Sequence, residues 1–424
     1  NDLGSLEKEI QAAIDEADRP SMIIVDSHIA YGSPNKQDSA GAHGSPLGED
    51  EIRATKENYG WDPDKVFYVP DEVETFKKEM IAKGAKREDE WNGKLKAYAE
   101  AHPDLATQFD MMQNGELPDG WETIIPEFPA DAKGLATRES SSKILNPIAD
   151  KIPWFMGGSA DLGPSTKTYI KEASSFNKEN YGGRNFHFGV REHAMGAIIN
   201  GMSLSKLRPY GATFFVFSDY VRPAIRLSSL MKQPVVYIFT HDSIGVGEDG
   251  PTHQPVEHLA SLRAMPGLDV IRPSDANELS VMWKYIMGLK DRPVALVLSR
   301  QGMPTLDRSK HAPADGALKG AYTLIESDDT PDVILIGTGS EIQICLNAYE
   351  QLTNEGINAR VVSMPCSTLF QSQDKEYREK VLPRSVKARI VVEAGSTFGW
   401  HGYTGREDDC GIFGLKDFGA SAPA

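Results

Sequence analysis

The stretch Tyr237–His258, YIFTHDSIGVGEDGPTHQPVEH, concentrates side chains able to do acid–base chemistry. His241, Asp242, Glu248, Asp249, His253, Glu257 and His258 fall within it, interspersed with Gly245, Gly247, Gly250 and Pro251. Imidazoles titrate near neutrality and suit proton transfer, while carboxylates read hydroxyl groups. The apolar run ending at Thr240 predicts a buried strand, so the polar residues leave at its carboxyl end. Open α/β sheets bind ligands there, and glycines let the backbone turn tightly or approach a ligand closely. A solvated turn with incidental histidines is the plainer alternative.

Further clusters share this placement at strand ends or in Gly/Pro loops. They are His43 in AHGSPLG, Arg138 with Asp161 and Ser165, Glu192 with His193, and Arg300 beside the first cluster. Arg138 and Arg300 can offer planar guanidinium forks to a phosphate, with Ser165 and His241 as added donors. Each hydrogen bond to a charged group contributes about 1.5–3 kcal/mol, so two such arginines would dominate affinity. Taken singly, each arginine also reads as a salt-bridged surface residue. Glu192 either caps a helix or, buried, shares a proton with a ligand nitrogen. His241, Asp249, His253 and His258 lack the HExxH spacing of a zinc helix, which weighs against a dedicated transition-metal site.

The elements that must position these groups follow a strand–helix rhythm. Helices are expected over Leu6–Ala17, Glu49–Asn58 with Asp50 as a candidate cap, and one or two helices over Val73–Ala99. Met22–Val25 reads as a short strand, and His28–Gly48 as a long Gly/Ser/Pro loop. From Thr137 onward, a helix through Ala149 precedes strands at Trp154–Gly158, Ala212–Phe217, Val235–Thr240, 268–271 and Val294–Leu298. Alternation of this kind favours a mostly parallel sheet covered on both faces. A linker is expected near His311–Leu318, then a smaller α/β unit with strands near Asp332–Ile336, Ala359–Ser363 and Ala388–Glu393. Its GTGS at Gly337–Ser340 lacks the full GxGxxG pattern and reads as a strand–helix turn.

The chain of 424 residues is long enough for about two to four domains. A formal charge of -16 argues against a nucleic-acid surface, and no stretch reaches membrane-spanning length. Three cysteines, Cys345, Cys366 and Cys410, lie far apart, which fits a reducing compartment and supports neither a disulfide framework nor a cysteine-rich zinc site.

With these residues in view, the sequence resembles the transketolase family. THDSIGVGEDGPTHQP at 240–255, FGVREHAMGAI at 188–198 and GGSADLGPS at 157–165 carry the resemblance, supported by ATRESS, AHGSPLG, SRQG and AGSTFGWHGY. It implies the end of a diphosphate-binding α/β domain with a connector over 1–125. A parallel-sheet pyrimidine-binding domain would follow over 126–312, and a C-terminal α/β domain over 313–424. It also implies a homodimer with active sites at the subunit interface, thiamine diphosphate with Mg²⁺, and transfer of a two-carbon ketol unit between sugar phosphates. The setting would be the pentose phosphate pathway or Calvin cycle, in cytoplasm or plastid stroma. Glu192, His253 and His43 are the implied catalytic residues. Arg138, Ser165, His241, Asp249 and Arg300 are the implied substrate ligands. Glu192, Phe214, Phe217, Tyr220, Asp161 and His43 are implied around the cofactor. The family's GDG…Asn pattern for Mg²⁺ and diphosphate is not found, so no metal ligand is assigned here. Most of the diphosphate-binding domain, with those ligands, is expected to be missing ahead of Asn1. The resemblance leaves a related thiamine-diphosphate-dependent synthase, or a non-catalytic dimerisation fragment, as alternatives.

Overall fold

The computed structural model describes residues 2–327, 329–405 and 411–423; Cys410 lies outside the described residues. The chain divides into two compact units, Asn1–Ala101 and His102–Ala424.

Helices are the regular elements among the first unit's described residues, joined by long irregular stretches such as 16–40. Helices span Leu3–Asp15, Gly41–Gly44, Glu49–Asn58 and Asp71–Ala101. Asp2 caps the first by accepting from Ser5 N at 3.0 Å. Asp50 does not cap the third: Gly48 precedes that helix, and Glu49, Asp50 and Glu51 line its first turn, where carboxylates favour the positive dipole end. The predicted strand at Met22–Val25 does not form, and Ile24 is 80% exposed. A strand needs a neighbour to take its backbone donors and acceptors, and no strand exists among this unit's described residues.

The second unit holds two sheets. The larger has six strands in the order Asn185–His187, Phe155–Ser159, Arg208–Phe214, Val236–Thr240, Val294–Leu298 and Asp269–Ile271. Every neighbouring pair is parallel. Val236–Thr240 and Val294–Leu298 are buried along their whole length, as continuous apolar runs in a doubly covered parallel sheet must be. On one face Phe155, Tyr210 and Trp283 pack with Ile144 and Leu145 of the helix Thr137–Lys151, and Trp283 Nε1 donates to Ser141 Oγ at 3.2 Å. On the other, Met195 and Ile199 pack with Val221, Ile225 and Phe239.

An antiparallel pair, Asp131–Ala136 with Gly302–Thr305, was not legible from the sequence. Gly134 makes it possible: at φ +60°, a side chain there would place Cβ 1.7 Å from Met303 O. The second sheet runs Ile412–Leu415, Arg389–Ser396, Val333–Gly337, Ala359–Ser363 and Tyr322–Ile325, with only the last strand antiparallel among those described. GTGS turns from Val333–Gly337 through a short 3-10 turn into the helix Ile342–Asn354, as expected. The architecture is a mixed α/β one, with a parallel-sheet domain followed by a smaller C-terminal α/β domain.

Candidate active site

Most site residues of the second unit sit on chain near or beyond the carboxyl ends of the parallel strands, whereas Arg138 follows the antiparallel strand Asp131–Ala136. The sheet's sequence order reverses between Phe155–Ser159 and Arg208–Phe214, and such a switch point leaves a crevice between divergent loops. Ser165 follows the first of these strands, Phe214 ends the second, His241 follows the third and Arg300 follows Val294–Leu298.

His241 is the hub. It is 3% exposed and adopts φ +62°, a left-handed conformation costly for a residue with a side chain. Thr240 Oγ1 pairs with its Nδ1 at 2.9 Å, and Arg138 Nη1 lies 3.5 Å from its Nε2. The Phe214 ring stacks on the imidazole with centroids 3.6 Å apart. Burial, then the positive charges of Arg138 and Arg300, and His253, push the imidazole's pKa down to about 3. At neutral pH it is therefore an uncharged donor or acceptor.

Arg138 enters from the start of the helix Thr137–Lys151. It donates to Ser165 O at 2.8 Å, and its Nε is buried without a hydrogen-bond partner. Burial lowers its pKa; Glu139 opposes this and Arg300 adds to it. Two guanidinium groups are thus within electrostatic reach of each other, an arrangement that attracts an anion. Ser299 fixes this juxtaposition: its Oγ accepts from Thr137 N at 3.0 Å, and Thr137 Oγ1 accepts from Ser299 N at 2.7 Å. Sequence reasoning missed both residues. Their position, one residue ahead of each arginine at an element boundary, was the available signal.

The aromatic residues form one continuous set. Phe214 and Phe217 are nearly coplanar in orientation, 3° apart with centroids at 6.1 Å, and Tyr220 lies 6.1 Å from Phe217. His253 meets Phe214 and Phe217 edge-on at 6.4 and 5.6 Å. Thr252 Oγ1 pairs with its Nδ1 at 2.9 Å. Glu192 opens the helix Glu192–Leu204, is 7% exposed, and accepts from Thr213 Oγ1 at 3.2 Å. Thr213 directly precedes Phe214, so the carboxylate and the rings share one strand end.

The remaining predicted residues are solvent-exposed. Asp161 is exposed at φ +63° after Phe155–Ser159; Asp249 is exposed at the end of the 3-10 segment Ile244–Asp249; Arg300 is exposed at its strand end. His43 belongs to the first unit, exposed on the helix Gly41–Gly44. Glu51, on the helix Glu49–Asn58, reaches back to the loop ahead of His43, accepting from Asn35 N at 2.9 Å and Asn35 Nδ2 at 3.0 Å and pairing with Ser33. Among the described residues, the one trio of metal-capable side chains close together is Asp219, Glu257 and His258, with ligand atoms within 4.8 Å. It contains neither His241, Asp249 nor His253. Among the described residues no helix is long and apolar enough to cross a membrane.

Three domain families match the chain: "Transketolase, thiamine diphosphate binding domain" over residues 1–118, "Transketolase, pyrimidine binding domain" over 133–305, and "Transketolase-like TK C-terminal domain" over 320–424. The match over residues 1–118 does not support the expectation that most of the diphosphate-binding domain is missing. The chain is 50% identical over 419 residues to a transketolase of Halalkalibacterium halodurans, covering 98% of this chain and 62% of that protein. It is 50% identical over 423 residues to one from Bacillus subtilis, covering 98% and 63%. A transketolase structure from Pichia stipitis, in complex with sedoheptulose 7-phosphate, superposes with a TM-score of 0.93 at 39% identity, over 100% of this chain and 62% of that one. The chain thus spans a little under two thirds of the length of these relatives. With its three domains matched in order and half its residues identical to the two bacterial relatives over nearly its whole length, the chain belongs to the transketolase family.

Proposed function

We propose that this chain performs transketolase chemistry, the reversible transfer of a two-carbon ketol unit from a ketose phosphate to an aldose phosphate. The observation that carries the reading is the convergence of Arg138, His241, Phe214, Phe217 and His253 at adjoining parallel-strand ends, with the buried Glu192 on the same strand end through Thr213. It is supported by the transketolase names of its relatives and by the sugar phosphate held in the Pichia stipitis structure.

Thiamine diphosphate fits the residues present. A carboxylate excluded from water suits a hydrogen bond to a ring nitrogen, and the Phe214, Phe217 and Tyr220 rings offer flat apolar surface to a heteroaromatic ring. When bound, this cofactor supplies the electron sink for carbon–carbon cleavage. Glu192 would hold a proton at the ring nitrogen. Arg138 and Arg300 would bind the sugar phosphate with Ser165, and the unpartnered Nε of Arg138 leaves a donor for that anion. Binding energy from the distant phosphate then orients the reacting carbon. His241, held neutral, would donate to or accept from substrate oxygen without carrying charge into the cleft. His253 and His43 would move protons on the reacting carbons, Asp249 would read a substrate hydroxyl, and Asp161 would position the cofactor-binding face. The same reading takes the working molecule as a homodimer needing Mg²⁺, organised as 1–125, 126–312 and 313–424, acting in pentose phosphate or Calvin-cycle metabolism.

The test is a coupled assay of the full chain with paired ketose and aldose phosphates, thiamine diphosphate and Mg²⁺, beside calorimetric titration of the cofactor. Turnover requiring both sugars supports the reading. Cofactor binding with turnover of other substrate pairs would indicate a related synthase. Folded protein that neither binds cofactor nor turns over would indicate a non-catalytic dimerisation fragment.

A further inference from the structure

Arg272 is the largest charged side chain fully removed from solvent, at 1% exposure, and it stands where the parallel sheet meets the C-terminal domain. It directly follows the carboxyl end of Asp269–Ile271, whose Ile271 pairs with Leu296 of the next strand. Its Nε donates to Asp242 Oδ2 at 2.9 Å, and its Nη2 lies 2.8 Å from the same oxygen. The rest of the guanidinium faces the C-terminal domain. Nη1 donates to Thr338 O at 3.0 Å and Thr338 Oγ1 at 2.9 Å, and Glu341 takes both terminal nitrogens, with Nη2 to Oε1 at 3.1 Å. The GTGS turn therefore forms the cradle of this cation. Gly339 sits so close that a Cβ there would lie 2.7 Å from Arg272 Cζ.

The contact does not end at Glu341. Its Oε2 accepts from Ala394 N at 3.0 Å, and Thr338 Oγ1 donates onward to Glu393 Oε2 at 2.9 Å. Arg263 Nη1 and Nη2 grip Glu393 at 2.8 and 2.7 Å, and Trp400 Nε1 donates to it at 2.9 Å. A buried charge costs several kcal/mol unless partnered, so this set is strongly specified in geometry.

Asp242 is the residue after His241, so the Arg272 fork fixes the start of the loop that carries His241 and His253. The same loop meets the C-terminal domain at three more points. Ser421 Oγ donates to Glu248 O at 2.6 Å, Gln254 Nε2 donates to Ala420 O at 3.2 Å, and Ser396 N donates to Val256 O at 2.8 Å. Three direct ties, and a fourth relayed from Asp242 through Arg272, thus run from 242–256 to one domain.

We infer that the C-terminal domain is the frame that holds the 241–256 loop in register, with Arg272 and Glu341 as positioning residues for His241 and His253. Neither touches substrate. Their loss would loosen the loop while leaving the sheet intact. The kinetic part of this inference rests on the transketolase reading above; the structural part does not.

The test compares the full chain with its Glu341→Gln, Arg272→Lys and Ser421→Ala variants by amide hydrogen exchange. Glu341→Gln keeps the shape and removes the charge that holds the fork. Exchange over 243–253 is expected to quicken about tenfold, with Val236–Thr240 and Val294–Leu298 unchanged. Arg272→Lys keeps the charge without the fork and is expected to fall between Glu341→Gln and the parent chain. Ser421→Ala lies on the exposed tail, threatens no core, and is expected to quicken exchange at 245–250 alone. In active preparations, Glu341→Gln should raise KM for the ketose phosphate about tenfold more than it lowers kcat. Loop exchange unchanged in both Glu341→Gln and Ser421→Ala overturns the inference. If Glu341→Gln fails to fold, Ser421→Ala decides it alone. An inactive parent chain with a loosened loop in the variants keeps the frame and discards the transketolase reading.

Discussion

The phenyl ring of Phe214 lies flat on the imidazole of His241, centroids 3.6 Å apart and planes 27° off parallel. Phe214 ends one parallel strand and His241 follows its neighbour, so the stack reports the register of the two strands directly: Phe214 pairs with Thr240. It also excludes water from the imidazole, the largest cause of the depressed His241 pKa.

That depression has a pH consequence. With a folded pKa of about 3 against an ordinary value near 6.5, the unfolded chain takes up the His241 proton first as pH falls. The stability associated with neutral His241 is present above about pH 6.5 and is lost as pH drops toward 3. His241→Gln, which cannot titrate, is expected to lose less melting temperature than the parent chain between pH 6.5 and 4.5. Proton NMR should show no inflection of the His241 C2–H between pH 5 and 8; a midpoint in that range refutes the neutral assignment.

Glu192→Gln preserves an acceptor for Thr213 Oγ1 and the packing of the helix start, and removes the carboxylate. Turnover at saturating cofactor is expected to fall about a hundredfold or more, the scale of a lost acid–base group. The melting temperature should move little, because the amide matches the carboxyl group in shape and keeps its hydrogen bond from Thr213. Near-normal turnover would remove Glu192 from the proposed chemistry.

Arg300→Ala should raise KM for phosphorylated sugars about ten- to a hundredfold, the equivalent of one charged hydrogen bond, with a smaller effect on kcat. Because Arg300 also disfavours the charged forms of His241 and Arg138, its removal should move the His241 pKa upward. An unchanged KM with phosphorylated substrates would count against an anion clamp here.

Gly134→Ala tests the antiparallel tie between Asp131–Ala136 and Gly302–Thr305. The positive φ alone costs about 1–3 kcal/mol for a residue with a side chain, and the Cβ would overlap Met303 O. The urea midpoint is expected to fall by the equivalent of at least about 2 kcal/mol. A neutral result would mean that the pair opens without penalty.

Several strands announce themselves in the sequence because their burial is written locally. VYIFT, VALVL and VILIG are almost wholly apolar and are buried at every position, as a strand covered on both faces requires, and each forms. The histidine-rich loop, the arginines at element boundaries and the acidic start of the helix Glu192–Leu204 were equally legible, since strand ends and Gly/Pro turns are local signals. The same local signal misleads at Met22–Val25, which is apolar enough for a strand and has none beside it to pair with. It also missed Asp131–Ala136 and Gly302–Thr305, short and partly exposed, whose pairing depends on Gly134.

What the sequence determined, then, was which side chains are capable of chemistry and which segments they follow. Only the tertiary structure decided which of them meet. Thr137 and Ser299, 162 positions apart, bring Arg138 and Arg300 into electrostatic reach of one another, and Asp242 joins Glu341 through Arg272. Those meetings are set by strand order and domain packing. No local periodicity records them, because side chains so distant in sequence become neighbours only through the fold.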